Sequence, residues 1–216
     1  MKEYIKIQTL FNRDTEGSKK LIEGSFRDET LKYLYDCGAK FTCTEKVDGT
    51  NTGVAWDGHN VSFQGRTERS QIPTPLVNYL TATFGGTTNE ELFEQKFGEM
   101  NVILFGEGYG PKIQNGGGYR DDVSFILFDV YLPDQDLWLK REDVEDIAKT
   151  FGIDVVPVIM TGTLQEAIDF VKTKPMSTIG KKQAPMEGLV CRPVVELRDR
   201  RGKRVIVKIK VRDFAS

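Results

Sequence analysis

Short apolar runs with a period near two dominate the chain. They predict strands over 3–8, 40–46, 52–56, 60–65, 102–106, 123–131, 155–160, 188–192 and 204–211. Asp57-Gly58 separates two of these runs and reads as a hairpin turn. Helical periodicity is rarer. Asn89 is placed to cap a helix running to Phe97, with Leu92, Phe93 and Phe97 on one face. Thr163 and Glu166 form a capping box ahead of a stripe of Leu164, Ala167, Ile168 and Val171. A third helix is expected over 142–151, closing at Gly152. Strands that do not alternate regularly with helices imply an α+β fold with largely antiparallel sheets.

Composition narrows the picture. The 216 residues, 39% hydrophobic with 13 Phe, suffice for a real core and for one large domain. No apolar stretch reaches membrane-spanning length, and Met1-Lys2-Glu3-Tyr4 does not open a signal peptide, so a cytoplasmic protein with no membrane partner is expected. Cys37, Cys43 and Cys191 have neither disulfide-framework nor zinc-site spacing. A single histidine, His59, sits in the expected turn, which argues against histidine-based chemistry. With a net charge of -2, any polynucleotide must be held by a local patch rather than a global field.

Candidate chemistry centres on Thr44-Glu45-Lys46-Val47-Asp48-Gly49-Thr50-Asn51. A lysine amine attacks phosphorus only when unprotonated and aimed, and a strand ending at Lys46 before an Asp-Gly turn would fix its stem. Lys208 and Lys210, two apart in a strand, project together, while Val207, Ile209 and Val211 point oppositely. Two ammonium groups on one spot call for an anion such as a phosphate, and their field would depress the Lys46 pKa. Glu107 and Glu187 each adjoin a glycine that admits close ligand approach, and their oxygens suit Mg²⁺ or ribose hydroxyls. Phe128, on a buried strand, offers a face for a purine.

The spacing Lys-x-Asp-Gly resembles the nucleophile motif of covalent nucleotidyltransferases, namely ATP- and NAD-dependent ligases and capping guanylyltransferases. Five further segments follow in the order that family requires: Gln64-Gly65-Arg66-Thr67, Phe105-Gly106-Glu107-Gly108, Phe125-Ile126-Leu127-Phe128-Asp129, Met186-Glu187-Gly188-Leu189-Val190 and Val205-Ile206-Val207-Lys208-Ile209-Lys210. The resemblance implies an ATP-grasp-like nucleotidyltransferase fold and a lysyl-AMP intermediate on Lys46. It makes Glu187 the metal-binding carboxylate and sets Lys208 and Lys210 on the α-phosphate. Arg66 and Glu107 would hold the ribose, Phe128 would stack on the base, Glu45 would read the adenine amine and Asn51 would serve the phosphate end. ATP and Mg²⁺ or Mn²⁺ are the implied substrate and cofactor.

Within that superfamily the Gly-Thr-Asn ending, with Glu45 before the lysine, is similar to nick-sealing RNA ligases of phage and the kinetoplastid editing ligases, where DNA ligases and capping enzymes typically place arginine at the Asn51 position. The stretch 107–114 is also similar to phage RNA ligases, and the resemblance covers residues 4–211. It implies an ATP-dependent RNA ligase acting on nicked or end-juxtaposed RNA or an RNA/DNA hybrid, as a monomer, in a phage or bacterial host cytoplasm. Only six residues follow Lys210, so residues 1–216 are expected to form one nucleotidyltransferase domain without a C-terminal OB or helical domain. The basic stretch 198–204 either grips phosphates in its place or forms a basic hairpin turn that only solubilises the edge. Rival readings are a DNA ligase, for which Asp48 leaves room, a capping-type enzyme, a non-catalytic nucleic-acid-binding module, and a hydrolase built on Glu107 and Glu187. The lysines argue against the last two.

Overall fold

The computed structural model describes residues 2–67, 69–180 and 182–214. In chain order the strands are β1 (Gln8–Thr9), β2 (Phe11–Arg13), β3 (Leu21–Phe26), β4 (Phe41–Lys46), β5 (Thr50–Trp56), β6 (Val61–Gly65), β7 (Val102–Tyr109), β8 (Ser124–Leu132), β9 (Leu137–Trp138), β10 (Asp154–Val155), β11 (Val158–Gly162), β12 (Gly188–Pro193) and β13 (Val207–Lys210). The helices are α1 (Glu29–Asp36), α2 (Thr74–Phe84), α3 (Thr87–Phe97), α4 (Arg141–Phe151), α5 (Leu164–Lys172) and the single turn α6 (Val211–Phe214). The α+β class holds, with parallel pairing confined to β1–β13 and β10–β8 among the paired strands.

Two compact units divide these elements. One comprises residues 2–5 and Asp48–Val156; the other comprises Lys6–Val47 and residues 157–214. The chain therefore changes unit inside the Lys46-Val47-Asp48-Gly49 turn.

In the second unit the sheet order is β1-β13-β12-β4-β11. One sheet face packs on a core of Leu31, Leu34, Phe41, Leu164, Ile168, Val171, Leu189 and Ile209. Strand β4 shows why: Phe41, Cys43 and Glu45 are buried, while Thr42, Thr44 and Lys46 are only half-buried. Cys43 faces Cys191 in register on the core side, and burial pushes the Cys191 thiol well above its usual range, so it packs as an apolar group. Helix α5 forms as its capping box predicts, with Leu164, Ala167, Ile168 and Val171 buried. Helix α1 escaped the sequence reading. Asp28 caps it, accepting from the N–H groups of Thr30 at 2.8 Å and Leu31 at 3.2 Å.

In the first unit the sheet order is β10-β8-β7-β5-β6, with β9 on β8. Its core gathers Val54, Trp56, Leu76, Leu80, Phe84, Phe93, Leu104, Phe125 and Phe151. Helix α2 was also not anticipated, although Leu76, Leu80 and Phe84 recur every four residues behind Pro73. Helix α3 begins at Thr87, not at Asn89. Asn89 instead donates from Nδ2 to the carbonyls of Ala82 and Gly85, tying down the end of α2. Helix α4 closes at Gly152 in a left-handed conformation, as expected.

Three expected strands are redrawn. The run 155–160 splits, because Pro157 lacks the N–H a continuous ladder needs; Val155 ends β10 and Val158 starts β11 in the other unit. Of 3–8 only Gln8 enters a ladder, in β1. Pairing of 204–211 with β12 starts at Val207. No helix among the described residues is long and apolar enough to cross a membrane.

Phe93 is fully buried and packs on Trp56 with ring centroids 5.5 Å apart and on Phe151 at 4.4 Å. Phe93→Ala removes this hub, and the loss expected is about 3–5 kcal/mol. Urea unfolding followed by tryptophan fluorescence measures it; a midpoint equal to wild type would refute that placement of the core.

Candidate active site

The register of three strands builds the basic centre. Lys46 on β4 pairs with Gly188 on β12, and Gly188 pairs with Lys210 on β13. Directly opposite residues share a sheet face, so the two lysines flank a glycine in one row. The next row on that face is Thr44, Val190 and Lys208. The row between them, Glu45, Leu189 and Ile209, turns to the core. The alternation predicted for Lys208 and Lys210 against Val207 and Ile209 is what β13 adopts.

Glu187, one residue before Gly188, joins the row. Its Oε2 accepts from Lys46 Nζ at 2.7 Å, and its Oε1 pairs with Lys210 Nζ at 2.6 Å. The three side chains are 22%, 15% and 13% exposed for Lys46, Glu187 and Lys210. At that depth like charges are poorly screened, so the bridging carboxylate is what lets two ammonium groups stand together. The triad of two lysines and one glutamate keeps a net positive charge, suited to a further anion. Gly188 is required here: a Cβ would lie 2.2 Å from the Ile209 carbonyl oxygen and 2.7 Å from Lys210 Cα. Any larger residue would push β13, and Lys210 with it, away from the Lys46 row.

Glu45 corrects an expectation. Adjacent side chains on a strand leave opposite faces, so its carboxylate points away from Lys46. It is 1% exposed, and the protein itself supplies its donors. Ser177 Oγ donates to Oε1, while Thr178 donates from N at 2.9 Å and from Oγ1 at 2.6 Å to Oε2. With both oxygens engaged, Glu45 anchors the 177–178 loop to β4. Ser177 and Thr178 were missed because nothing local in the sequence ties them to a residue more than 130 positions away.

In the first unit, Asp48 opens the turn after the nucleophile strand. Its N–H donates to Tyr119 Oη at 3.2 Å, and its Oδ2 accepts from Asn115 Nδ2 at 2.7 Å. Both partners lie on the loop carrying Gly116–Gly118, which the structure closes into a short 3₁₀ turn. The groups in this loop that hold the turn are the Asn and Tyr on either side of its glycines. Asn51 pairs in register with Glu107 across β5 and β7, on the face opposite the apolar core. Asn51 Oδ1 is buried and, among the described residues, has no hydrogen-bond partner, so this acceptor is available to a donor outside the chain.

Phe128 reaches its place through an irregularity. Phe105 pairs with Asp129 and Gly106 with Leu127, which leaves Phe128 as the extra residue of a β-bulge. Bulges re-aim a side chain, and here the half-buried ring meets Tyr4 edge-on at 5.0 Å. Tyr4 also packs on Phe105 at 5.1 Å and donates from Oη to Asp129 Oδ2 at 2.8 Å. Asp129 thereby helps seat the N-terminal segment. Arg66 lies one residue past β6 and is exposed. Lys46, Glu187, Lys208 and Lys210 thus come together in one unit, while Asn51, Glu107, Phe128 and Arg66 belong to the other.

Among the described residues no group of three or more carboxylate, imidazole or thiol side chains forms a metal cage. Glu187, whose two oxygens are held by Lys46 and Lys210, fits Mg²⁺ or Mn²⁺ only where a lysine gives way to the ion, since Mg²⁺ is ordinarily held by one or two carboxylates with phosphate oxygens and water.

A lysine row around one carboxylate, reached through a Lys-x-Asp-Gly turn on an α+β fold, defines the covalent nucleotidyltransferase class. The family model described as RNA ligase matches residues 39–210, and the chain belongs to that family. Solved structures of Naegleria gruberi RNA ligase share the fold. A variant without ligand matches at TM-score 0.63 and 18% identity, covering 99% of this chain and 63% of that one. A variant with ATP and Mn matches at 0.63 and 20%, covering 94% and 58%, and the ligase with PPi at 0.61 and 21%, covering 97% and 62%. The chain spans about three fifths of the length of these ligases. No curated protein matches it.

Glu45→Ala strands the donors of Ser177 and Thr178, each worth about 1–3 kcal/mol when buried unpaired. A lower thermal midpoint is expected, measured by circular dichroism. An unchanged midpoint would return Glu45 to the candidate nucleotide contacts.

Proposed function

We propose that this chain is an ATP-dependent RNA ligase of the nick-sealing kind, with Lys46 as its nucleophile. The observation that carries the reading is the Lys46–Glu187–Lys210 row, in a chain of the RNA ligase family. Supporting it, fold neighbours at 18–20% identity are RNA ligases solved with ATP and Mn.

Lys46 enters the reaction from an ion pair. Its Nζ donates to Glu187 Oε2 at 2.7 Å, so the pair must open and the amine must be free and aimed before attack. The free amine then forms a bond to the α-phosphorus of ATP as the bond to the bridging oxygen breaks and pyrophosphate departs. Lys210 and Lys208, on the same face, neutralise the negative charge that grows on the phosphoryl oxygens. Glu187 would hold a divalent cation, which supplies charge neutralisation on the triphosphate when bound. Asn51 Oδ1 would accept from a ligand donor, Phe128 would stack on the base, and Glu107 and Arg66 would take the ribose. The AMP next passes to a 5′-phosphate, breaking P–N and forming a P–O–P anhydride. A neighbouring 3′-hydroxyl displaces AMP from it. An RNA 3′ end offers a 2′-hydroxyl for recognition that DNA lacks. We further propose a monomer that works in a cytoplasm.

With α-labelled ATP and Mg²⁺, the protein should acquire covalent AMP that is lost in acid and survives base. Lys46→Ala should abolish the label at an unchanged melting temperature. Equal labelling of that variant would place the nucleophile elsewhere.

The acceptor is tested separately, on matched nicks with RNA or DNA at the 3′-hydroxyl side. The RNA nick should seal several-fold faster. Faster joining of the all-DNA nick would sink the RNA assignment and leave the lysyl-AMP chemistry standing.

A further inference from the structure

Away from the lysine row, the most strongly charged feature of the second unit is the hairpin that joins β12 to β13. Over 196–204 it carries Arg198, Arg200, Arg201, Lys203 and Arg204 against only Glu196 and Asp199, in a chain of net charge -2. Both carboxylates are engaged. Asp199 Oδ1 accepts from the N–H groups of Arg201 at 2.8 Å and Lys203 at 2.9 Å. Glu196 binds Arg204 Nε at 3.0 Å, and Arg204 is buried rather than displayed. Arg204 therefore drops out of the phosphate-gripping stretch that the sequence suggested.

The hairpin is built to hold its shape. Asp199 N–H donates to the Lys203 carbonyl at 2.8 Å, and Gly202 N–H returns to the Asp199 carbonyl at 2.9 Å. Gly202 takes φ +76°, which a side chain would resist. Below the turn, Arg198 and Arg204 form an antiparallel β-bridge, and Val205 N–H donates to the Leu197 carbonyl at 2.9 Å. Arg200, Arg201 and Lys203 are left exposed on this frame, next to exposed Val194, Val195 and Leu197. Exposed, long and flexible, these side chains can turn to a phosphate without moving the frame.

Its position along the strands gives it meaning. The catalytic row lies at one end of the β12–β13 pair, at Gly188 and Lys210, and the hairpin grows from the other, past Pro193. Lys208 lies one row nearer the hairpin than Lys210. Lys203 and Lys210 are seven positions apart in the chain, so their Cα atoms are at most about 25 Å apart. That is less than one turn of a B-form duplex, about 34 Å.

We propose that the 198–203 hairpin is a phosphate-backbone grip for the polynucleotide, holding one strand within a helical turn of its reacting end. The proposal rests on the RNA ligase reading. It assigns Arg200, Arg201 and Lys203 to positioning the polynucleotide without reading its sequence, as phosphate contacts do.

The test is the combined variant Arg200→Gln, Arg201→Gln and Lys203→Gln, with its melting temperature checked against wild type. Binding to a fluorescent nicked RNA duplex is measured across a KCl series. Each phosphate that the variant no longer neutralises should flatten the log–log salt slope by about 0.7–0.9. A slope shallower by about two, with the lines meeting near 1 M, means roughly 100-fold weaker binding at 0.1 M. Equal slopes and affinities would overturn the grip, as would a wild-type protein that binds no RNA. ATP labelling of the wild type is scored alongside. RNA held through the hairpin by a protein that takes no label would count against the ligase reading and leave the grip in place.

Discussion

One carboxylate shared by two ammonium groups organises the basic centre. Glu187 can reach both Lys46 and Lys210 because β4, β12 and β13 are adjacent and in register, with a glycine between the lysines. A register slip of one residue would turn Lys46 into the core and bring Glu45 out on β4, or turn Lys210 in and bring Ile209 out on β13. The hydrophobic pattern that buries Cys43, Leu189 and Ile209 therefore also fixes the catalytic face. Core packing and chemistry are two faces of one sheet.

That arrangement also leaves Lys46 paired, its Nζ donating to Glu187 Oε2 at 2.7 Å. An anionic, metal-bearing ligand is the kind of partner that can compete for both members of the pair at once. The basic row lies in the second unit; within the first, the placing of Phe128 depends on an inserted residue in β8. The nucleophile turn is the covalent link, with Lys46 held by Glu187 on one side and Asp48 held by Asn115 and Tyr119 on the other.

Much of this was legible in the residue order. Period-two alternation located β4, β5, β6, β8 and β12 to within two residues, because half-buried strands must alternate. The capping box of α5 and the glycine closing α4 are local signals, and local signals survive into the fold. The common face of Lys208 and Lys210 followed from strand geometry alone. Helices α1 and α2 were passed over although Asp28 and Pro73 mark their starts. Their apolar stripes are only two and three residues long, too short to stand out.

What the sequence by itself determined is the RNA ligase family and the common face of Lys208 and Lys210, since both rest on spacings along the chain. Tertiary structure alone decided which charges meet. That Glu187 bridges Lys46 and Lys210, that Glu45 turns inward to Ser177 and Thr178, and that Arg204 is withdrawn to Glu196 are outcomes of strand neighbours and register. Strand pairing joins residues more than a hundred positions apart, and a linear pattern holds no record of which strand lies beside which.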